Sequence, residues 1–382
     1  LIAAASTPTA AAFRYRLATR LGFFLPGFAA AAWAPLVPFA KARIAVDNGV
    51  LGLVLLSAGV GSIVVMPLAG ALAGRFGCRR VMLAATLITC LCLPLLAWVD
   101  SLPALVVALF AFGAGVGTLD VTINMQSIIV EREAGRPMMS GFHGFYSIGG
   151  IAGAAGMTAL FGLNAQPLGA ALVVAAIFLA LGLAAGPGLL TRGAGLEGPA
   201  LAFPRGAVWF LGALCFILFL VEGSVADWSA VFLSSVRAMP RAYAGLGFAA
   251  FAAAMTLGRL TGDRFVHRLG GTRVALLGSL CAAAGFAVAN LVPGWPAGLA
   301  GYALVGIGCS NVVPVLYTAT GRQNDMPESQ AVPAVSTMGY SGMLIGPAAI
   351  GLMAKASSLP WAFTAVILML LGVAASARWL RT

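Results

Sequence analysis

The feature that most constrains this chain is the spacing of its charge. Stretches of about 20 apolar residues, the length that crosses a bilayer core as a helix, recur along all 382 residues, and the charged residues gather in the gaps between them. Breaks at charge and Pro/Gly clusters such as VDSLP and VPGWP bound twelve stretches. Their limits are 18–40, 49–73, 80–99, 103–129, 140–163, 168–190, 207–234, 243–266, 273–291, 297–320, 331–354 and 360–378. A soluble domain carries about 25% charged residues. Here the share is 9%, with 61% hydrophobic residues and a mean hydropathy of +1.00. The expected fold class is an all-α, multi-pass membrane protein of twelve transmembrane helices.

The net charge of +11 would suggest nucleic acid in a soluble protein, but here its distribution matters more. With the N-terminus inside, only Lys41, Arg43, Arg237, Arg241 and Lys355 of the 22 basic residues fall in outer segments. The other 17 fall in inner segments, a strong positive-inside bias that places both termini in the cytoplasm and the protein in the cell inner (plasma) membrane. Arg14, Arg16 and Arg20 precede a first span too long for a signal-peptide core, so no cleavable signal is expected. The six cysteines lie in or beside apolar runs with no C-x-x-C spacing, and they read as small core residues rather than disulfides or metal ligands.

The longest polar connection, TRGAGLEGPALAFPRG, follows the sixth span. It divides the chain into an N-terminal six-helix bundle (1–190), a cytoplasmic linker (191–206) and a C-terminal six-helix bundle (207–382). The two halves are copies. RFGCRRV at 75–81 falls on RLGGTRV at 268–274, and Gly149 and Gly153 fall on Gly342 and Gly346. AAWAPLVPF at 31–39 falls on ADWSAVFLS at 226–234, pairing Trp33 with Trp228. GAGVGTLD at 113–120 falls on LVGIGCSN at 304–311, which sets Asp120 opposite Asn311. Parallel six-helix repeats are a transporter signature, with the site between them near the midplane.

Twelve spans in a 6+6 repeat, with GALAGRFGCRR between spans two and three, resemble the major facilitator superfamily, whose loop there reads G-x-L-x-D-R-x-G-R-R. The match rests on Gly70, Arg75, Gly77, Arg79 and Arg80. It departs at Gly74, where the family has an aspartate implicated in latching the cytoplasmic side, and His267 takes the corresponding place in the second half. G-x-L-D-x-x-x-N at 117–124 is similar to the acid-plus-asparagine element of the fucose permease-like branch, and EGSVADWSAVFL and SNVVPVLYTATG resemble the same group. The resemblance implies the major facilitator fold, a cavity lined by spans one, four, seven and ten, and function as a monomer.

At about 100° per residue, Gly113, Gly117, Asp120, Asn124 and Ser127 form one stripe of span four. A charged residue at the bilayer centre costs about 2.5–3.5 kcal/mol on insertion scales, so this stripe is expected to face the bundle interior. Two readings are open for Asp120 and Asn124: a structural interhelical hydrogen bond, or a proton-coupling or substrate site. The second is favoured because no Arg or Lys is expected at the same depth. Loading a proton on such a carboxyl removes its charge and changes which transporter state is cheaper. Glu222 and Asp227 on span seven are five residues apart, about 140° around the helix. Either Glu222 lines the cavity and Asp227 serves a gate, or the reverse. Trp228 reads as an interfacial anchor or a gate element, and Trp33, Asn311 and Tyr317 as cavity-lining candidates. His143 reads as a structural residue or a proton relay toward the cytoplasm. Pro35 and Pro38 give span one the interruptions of a helix that flexes.

No nucleophile and base pair, metal cluster or phosphate loop is recognisable, so an enzyme is not expected, nor a cofactor, a metal or a nucleic-acid partner. The expected function is a secondary active transporter moving a small polar solute of sugar or polyol type by proton-coupled alternating access. With no intramembrane Arg or Lys in view, anionic substrates are disfavoured. The alternative is a proton-driven efflux antiporter for lipophilic or cationic compounds, although Gly346-Pro347 lies in the half opposite to the exporter element it resembles.

Overall fold

The computed structural model describes residues 10–46, 48–192, 203–240 and 243–380. Arg241, Arg381 and residues 193–202 of the expected linker lie outside the described residues. The described chain is helical. The first span is α1 (Ala10–Trp33) and α2 (Val37–Ile44), joined by a 3-10 turn over Ala34–Leu36 that contains Pro35. There follow α3 (Asn48–Phe76), α4 (Cys78–Trp98), α5 (Leu102–Ala134), α6 (Met139–Gly162) and α7 (Pro167–Ala185). The second half holds α8 (Ala207–Ser235), α9 (Leu246–Leu269), α10 (Gly271–Leu291), the pair α11 (Trp295–Cys309) and α12 (Val312–Thr320), α13 (Glu328–Ala356) and α14 (Leu359–Ser376). Eleven of these segments are long and apolar enough to cross a membrane. The twelfth, α9, has the length but carries Arg259, Asp263 and Arg264 in its second half.

Lipid acts as solvent for the outer surface, so Leu91, Val107, Leu172, Leu183 and Leu257 stand exposed without cost. Toward the interior, small residues let backbones approach. In α6, Gly149 and Gly153 lie where an added Cβ would meet the carbonyls of Phe24 and Phe28 of α1, at 2.2 and 2.1 Å. In α13, Gly342 meets the Phe216 carbonyl of α8 at 2.1 Å, and Gly346 lies against Leu220. The repeat read from the glycines is therefore a repeat of packing.

Two further pairs extend it. Gly77 and Gly270, at φ +83° and +79°, make the same tight connection in each half, a left-handed region open to glycine. Arg43 donates at 2.7 Å to the carbonyls of Leu96, Ala97 and Val99 at the end of α4, and Arg237 donates to those of Ala289 and Asn290 at the end of α10. These two arginines satisfy carbonyls that a helix end leaves open. One sequence pairing shifts. Gly113 sits on the Ala58 carbonyl as Gly306 sits on that of Phe251, an offset of 193. On that register the counterpart of Asp120 is buried Val313, and Asn311 lies at the break between α11 and α12.

Candidate functional site

The stripe on α5 divides by function. Gly113 and Gly117 take the close approach of α3, at Ala58 and Ser62. About one turn beyond Gly117, Asp120 is 6% exposed, and its polar neighbour is the Tyr340 hydroxyl of α13, from the other half. Tyr340 in turn neighbours Tyr146 of α6 and stacks obliquely on Phe219 of α8, with ring centroids 5.6 Å apart. Asn124 is fully buried and donates to the main-chain carbonyl of Asp120 at 2.9 Å, which ties it to its own helix.

Glu222, in mid-α8, meets a partner that sequence patterning assigns to a basic surface segment. Arg259 of α9 is only 7% exposed and stands with one amino group 3.4 Å from Glu222 Oε1. Its other amino group donates to Ser147 Oγ of α6 at 3.1 Å. The expectation that no basic side chain lies at the depth of the acids is thus corrected, and so is the argument against anionic substrates that followed from it. Burial without a partner would be costly for either charge, and the pairing accounts for both being there.

His143 is 8% exposed between Phe23 of α1 and Tyr317 of α12, at centroid distances of 4.8 and 5.6 Å, and its Nε2 has no protein partner. Tyr317 is buried and shares a 2.7 Å hydrogen bond with Ser336. Trp33 is buried where α1 ends. Trp228 donates to the Pro347 carbonyl at 3.0 Å, within the second half. Asn311 donates to the Gly258 carbonyl at 3.1 Å. Asp227 is exposed, away from the Glu222 pair. The structure therefore gathers Asp120, Glu222 and His143 around the boundary between the halves, together with Tyr146, Ser147, Arg259 and Tyr340, which sequence patterning did not single out. The loop residues lie at one end: Gly70 packs on Pro333 and Ser329, Arg75 on the Phe76 ring, the Arg79 main chain donates to the Leu190 carbonyl, and Arg80 is exposed.

That end, rich in arginine, is where the halves are fastened together. Asp263 of α9 accepts from the Gly141 amide of α6, 3.1 Å from each carboxylate oxygen. Glu131 of α5 accepts from the Met138 and Met139 amides at 2.8 and 2.7 Å and from Thr318 of α12 at 2.6 Å. Arg132 pairs with Glu328 of α13. A small cavity of about 160 Å³ remains among Glu131, Asp263, Thr318 and Arg322. All six cysteines are free, and no group of metal-ligating side chains occurs among the described residues.

Comparison with known proteins places this arrangement. The profile described as Major Facilitator Superfamily matches residues 20–320. An uncharacterized MFS-type transporter of Yersinia pestis is 52% identical over 365 residues, covering 95% of each chain. A crystal structure of the E. coli fucose:proton symporter FucP superposes with a TM-score of 0.79 at 18% identity, covering 96% of this chain and 98% of that one. The proton:xylose symporter XylE, bound to 6-bromo-6-deoxy-D-glucose, gives 0.77 at 15% identity, covering 98% and 96%.

Proposed function

This chain belongs to the major facilitator superfamily, and from that premise we propose that it is a proton-coupled secondary transporter of a small polar solute of sugar or polyol type. The observation that carries the reading is the mid-span meeting of Asp120 with Tyr340 across the two halves, beside the Glu222–Arg259 pair. Tyrosine hydroxyls and carboxylates can hydrogen-bond a polyhydroxy solute, and a carboxyl shared between the halves is placed for its protonation to alter their affinity for each other. The solved structures that share this fold include two proton symporters, of fucose and of xylose. The arginine-rich end is the cytoplasmic one, the membrane is the inner membrane, the chain works as a monomer, and residues 1–190 and 207–382 are the two moving bodies, linked by 191–206. The fastened end then makes this the state closed to the cytoplasm.

The test is uptake into proteoliposomes. Asp120→Asn is expected to abolish accumulation driven by a pH gradient while leaving solute exchange intact, and undiminished accumulation would sink the assignment. Efflux of cationic compounds is a second reading, favoured by one observation: two carboxylates at the site stand against one arginine. Thermal stabilisation by lipophilic cations but not by polyhydroxy compounds would select it.

A further inference from the structure

We propose that Arg259 is a substrate-binding residue and that the solute carries an acid group beside its hydroxyls, as a polyhydroxy carboxylate does. The proposal rests on the transporter reading above and narrows its substrate class. A guanidinium has five N–H donors, and Arg259 uses two, toward Ser147 Oγ and Glu222 Oε1. Its Nε is buried without a partner. The contact to Glu222, at 3.4 Å, is long beside the 2.7–2.9 Å typical of a charge-assisted bond.

The chain supplies its own controls for what a structural arginine looks like. Arg43 uses Nε and both amino groups on three main-chain carbonyls, each at 2.7 Å. Arg237 uses Nε and one amino group on two carbonyls and lies over the Phe232 ring, 5.2 Å from its centroid. Both stand at helix ends inside one half. Arg259 is more deeply buried than surface pairing requires, yet its donors are under-used, and it touches both halves. A buried charged donor without an acceptor is costly. A bidentate carboxylate is the ligand that fits a guanidinium's fork, and Tyr146, which neighbours Arg259, Glu222, Asp120 and Tyr340, brings groups that hydrogen-bond hydroxyls to the same place.

The pairing also couples solute to proton. A solute carboxylate that takes the place of Glu222 at Arg259 leaves Glu222 without its cation. Glu222 then binds one proton from the medium, so solute anion and proton enter together and the site's net charge is unchanged. The titratable groups within electrostatic reach of Glu222 are Arg259 on α9, Tyr146 on α6, Cys215 on its own helix and Cys309 on α11.

The experiment uses the full chain in detergent and in proteoliposomes, with D-gluconate and D-galactonate as acids and D-glucitol and galactitol as the matching neutral alditols. An acid is expected to bind wild-type protein more tightly than its alditol. Arg259→Gln is expected to weaken acid binding about 10–150-fold, the range for a hydrogen bond to a charged group, with alditol binding changed less than threefold. Glu222→Gln keeps the arginine and removes the competitor, so with Asp120→Asn in both proteins to silence the other carboxyl, acid binding should lose its dependence on pH between 5 and 8. That variant decides the question if Arg259→Gln does not fold. Equal binding of acid and alditol by the wild type, or acid binding whose pH dependence is the same in Asp120→Asn with and without Glu222→Gln, overturns the proposal. Proton-driven uptake of an alditol with exclusion of both acids overturns it while leaving the transporter reading standing. Absence of binding and uptake for all four overturns both.

Discussion

The two halves meet along two seams that the repeat makes equivalent, α3 against α13 and α6 against α9, and the two are chemically unlike. In the first, closeness comes from absent side chains. A Cβ at Gly70 would stand 2.0 Å from Pro333 Cγ and 2.6 Å from the Ser329 carbonyl, and one at Gly59 would touch Leu344. The whole of α3 contributes no carboxylate. The second seam uses glycines as well, with Gly144 against Leu260 and Gly262 against Ser140. To these it adds Asp263 on the Gly141 amide and Arg259 on Ser147. On the offset of 193 the position matching Gly70 is Asp263, so one register holds a hydrogen in one seam and a carboxylate in the other. Symmetry governs the backbone path, while the charged contacts of the α6–α9 seam have no counterpart between α3 and α13 among the described residues. The family's latching aspartate is missing at Gly74 of the first seam, and one of the carboxylates that fasten this end, Asp263, belongs to the second.

The comparison breaks most severely at Gly70. Gly70→Val must part α3 from α13, and overpacking of this kind costs about 1–3 kcal/mol or more. Transport is expected to fall at least about tenfold. A cysteine placed at Val315, in the cavity at the fastened end of an otherwise cysteine-free chain, should become open to maleimide; unchanged labelling would show that the dry seam tolerates separation. Asp263→Asn comes next. It removes a charge-assisted acceptor worth about 1.5–3 kcal/mol, at a helix N-terminus that favours negative charge. Labelling at Val315 should rise, and the same protein should keep its ligand affinity. Adding Gly74→Asp to Asp263→Asn sharpens the contrast: if either seam can hold the latch, labelling returns part of the way to the wild-type level. The smallest effect belongs to Glu328→Gln. Its partner Arg132 has a side chain 58% exposed, and an exposed pair contributes about 0–1 kcal/mol. The change should be undetectable above about 0.5 M salt.

Much of this was legible in the sequence, for identifiable reasons. Helix number follows from apolar length, and the repeat follows from glycines whose packing needs recur with the backbone. Asp120 announced itself as a carboxylate with no charged neighbour in an apolar run. Arg259 was hidden by its company. It shares the stretch GRLTGDRFVHR with Arg264, Arg268 and His267, so the run reads as one basic end, and only the packing of α6 and α8 on α9 shows that its first arginine points inward. Tyr146 and Tyr340 were invisible for another reason: a tyrosine on a helix has no pattern of its own, and their importance lies in which helices meet. Asn311 was paired with Asp120 because the glycine-rich stretches GAGVGTLD and LVGIGCSN match at a shift of 191. The packing of Gly113 on Ala58 and of Gly306 on Phe251 fixes the offset at 193 and moves the match by two residues, to Val313.

The mixed character of α9 has a consequence for how the chain is made. An arginine or aspartate near the middle of a lone helix costs about 2.5–3.5 kcal/mol to place in lipid, and α9 carries Arg259, Asp263 and Arg264 while missing the apolarity that its eleven companions reach. Ser147, the Gly141 amide and Glu222 receive two of these groups, and all three belong to helices synthesised earlier, two of them in the first half. The first half is thereby much of the solvent into which the eighth span inserts. A second half expressed without it should stall with α9 outside the bilayer, and co-expression of the first half as a separate chain should bring α9 in.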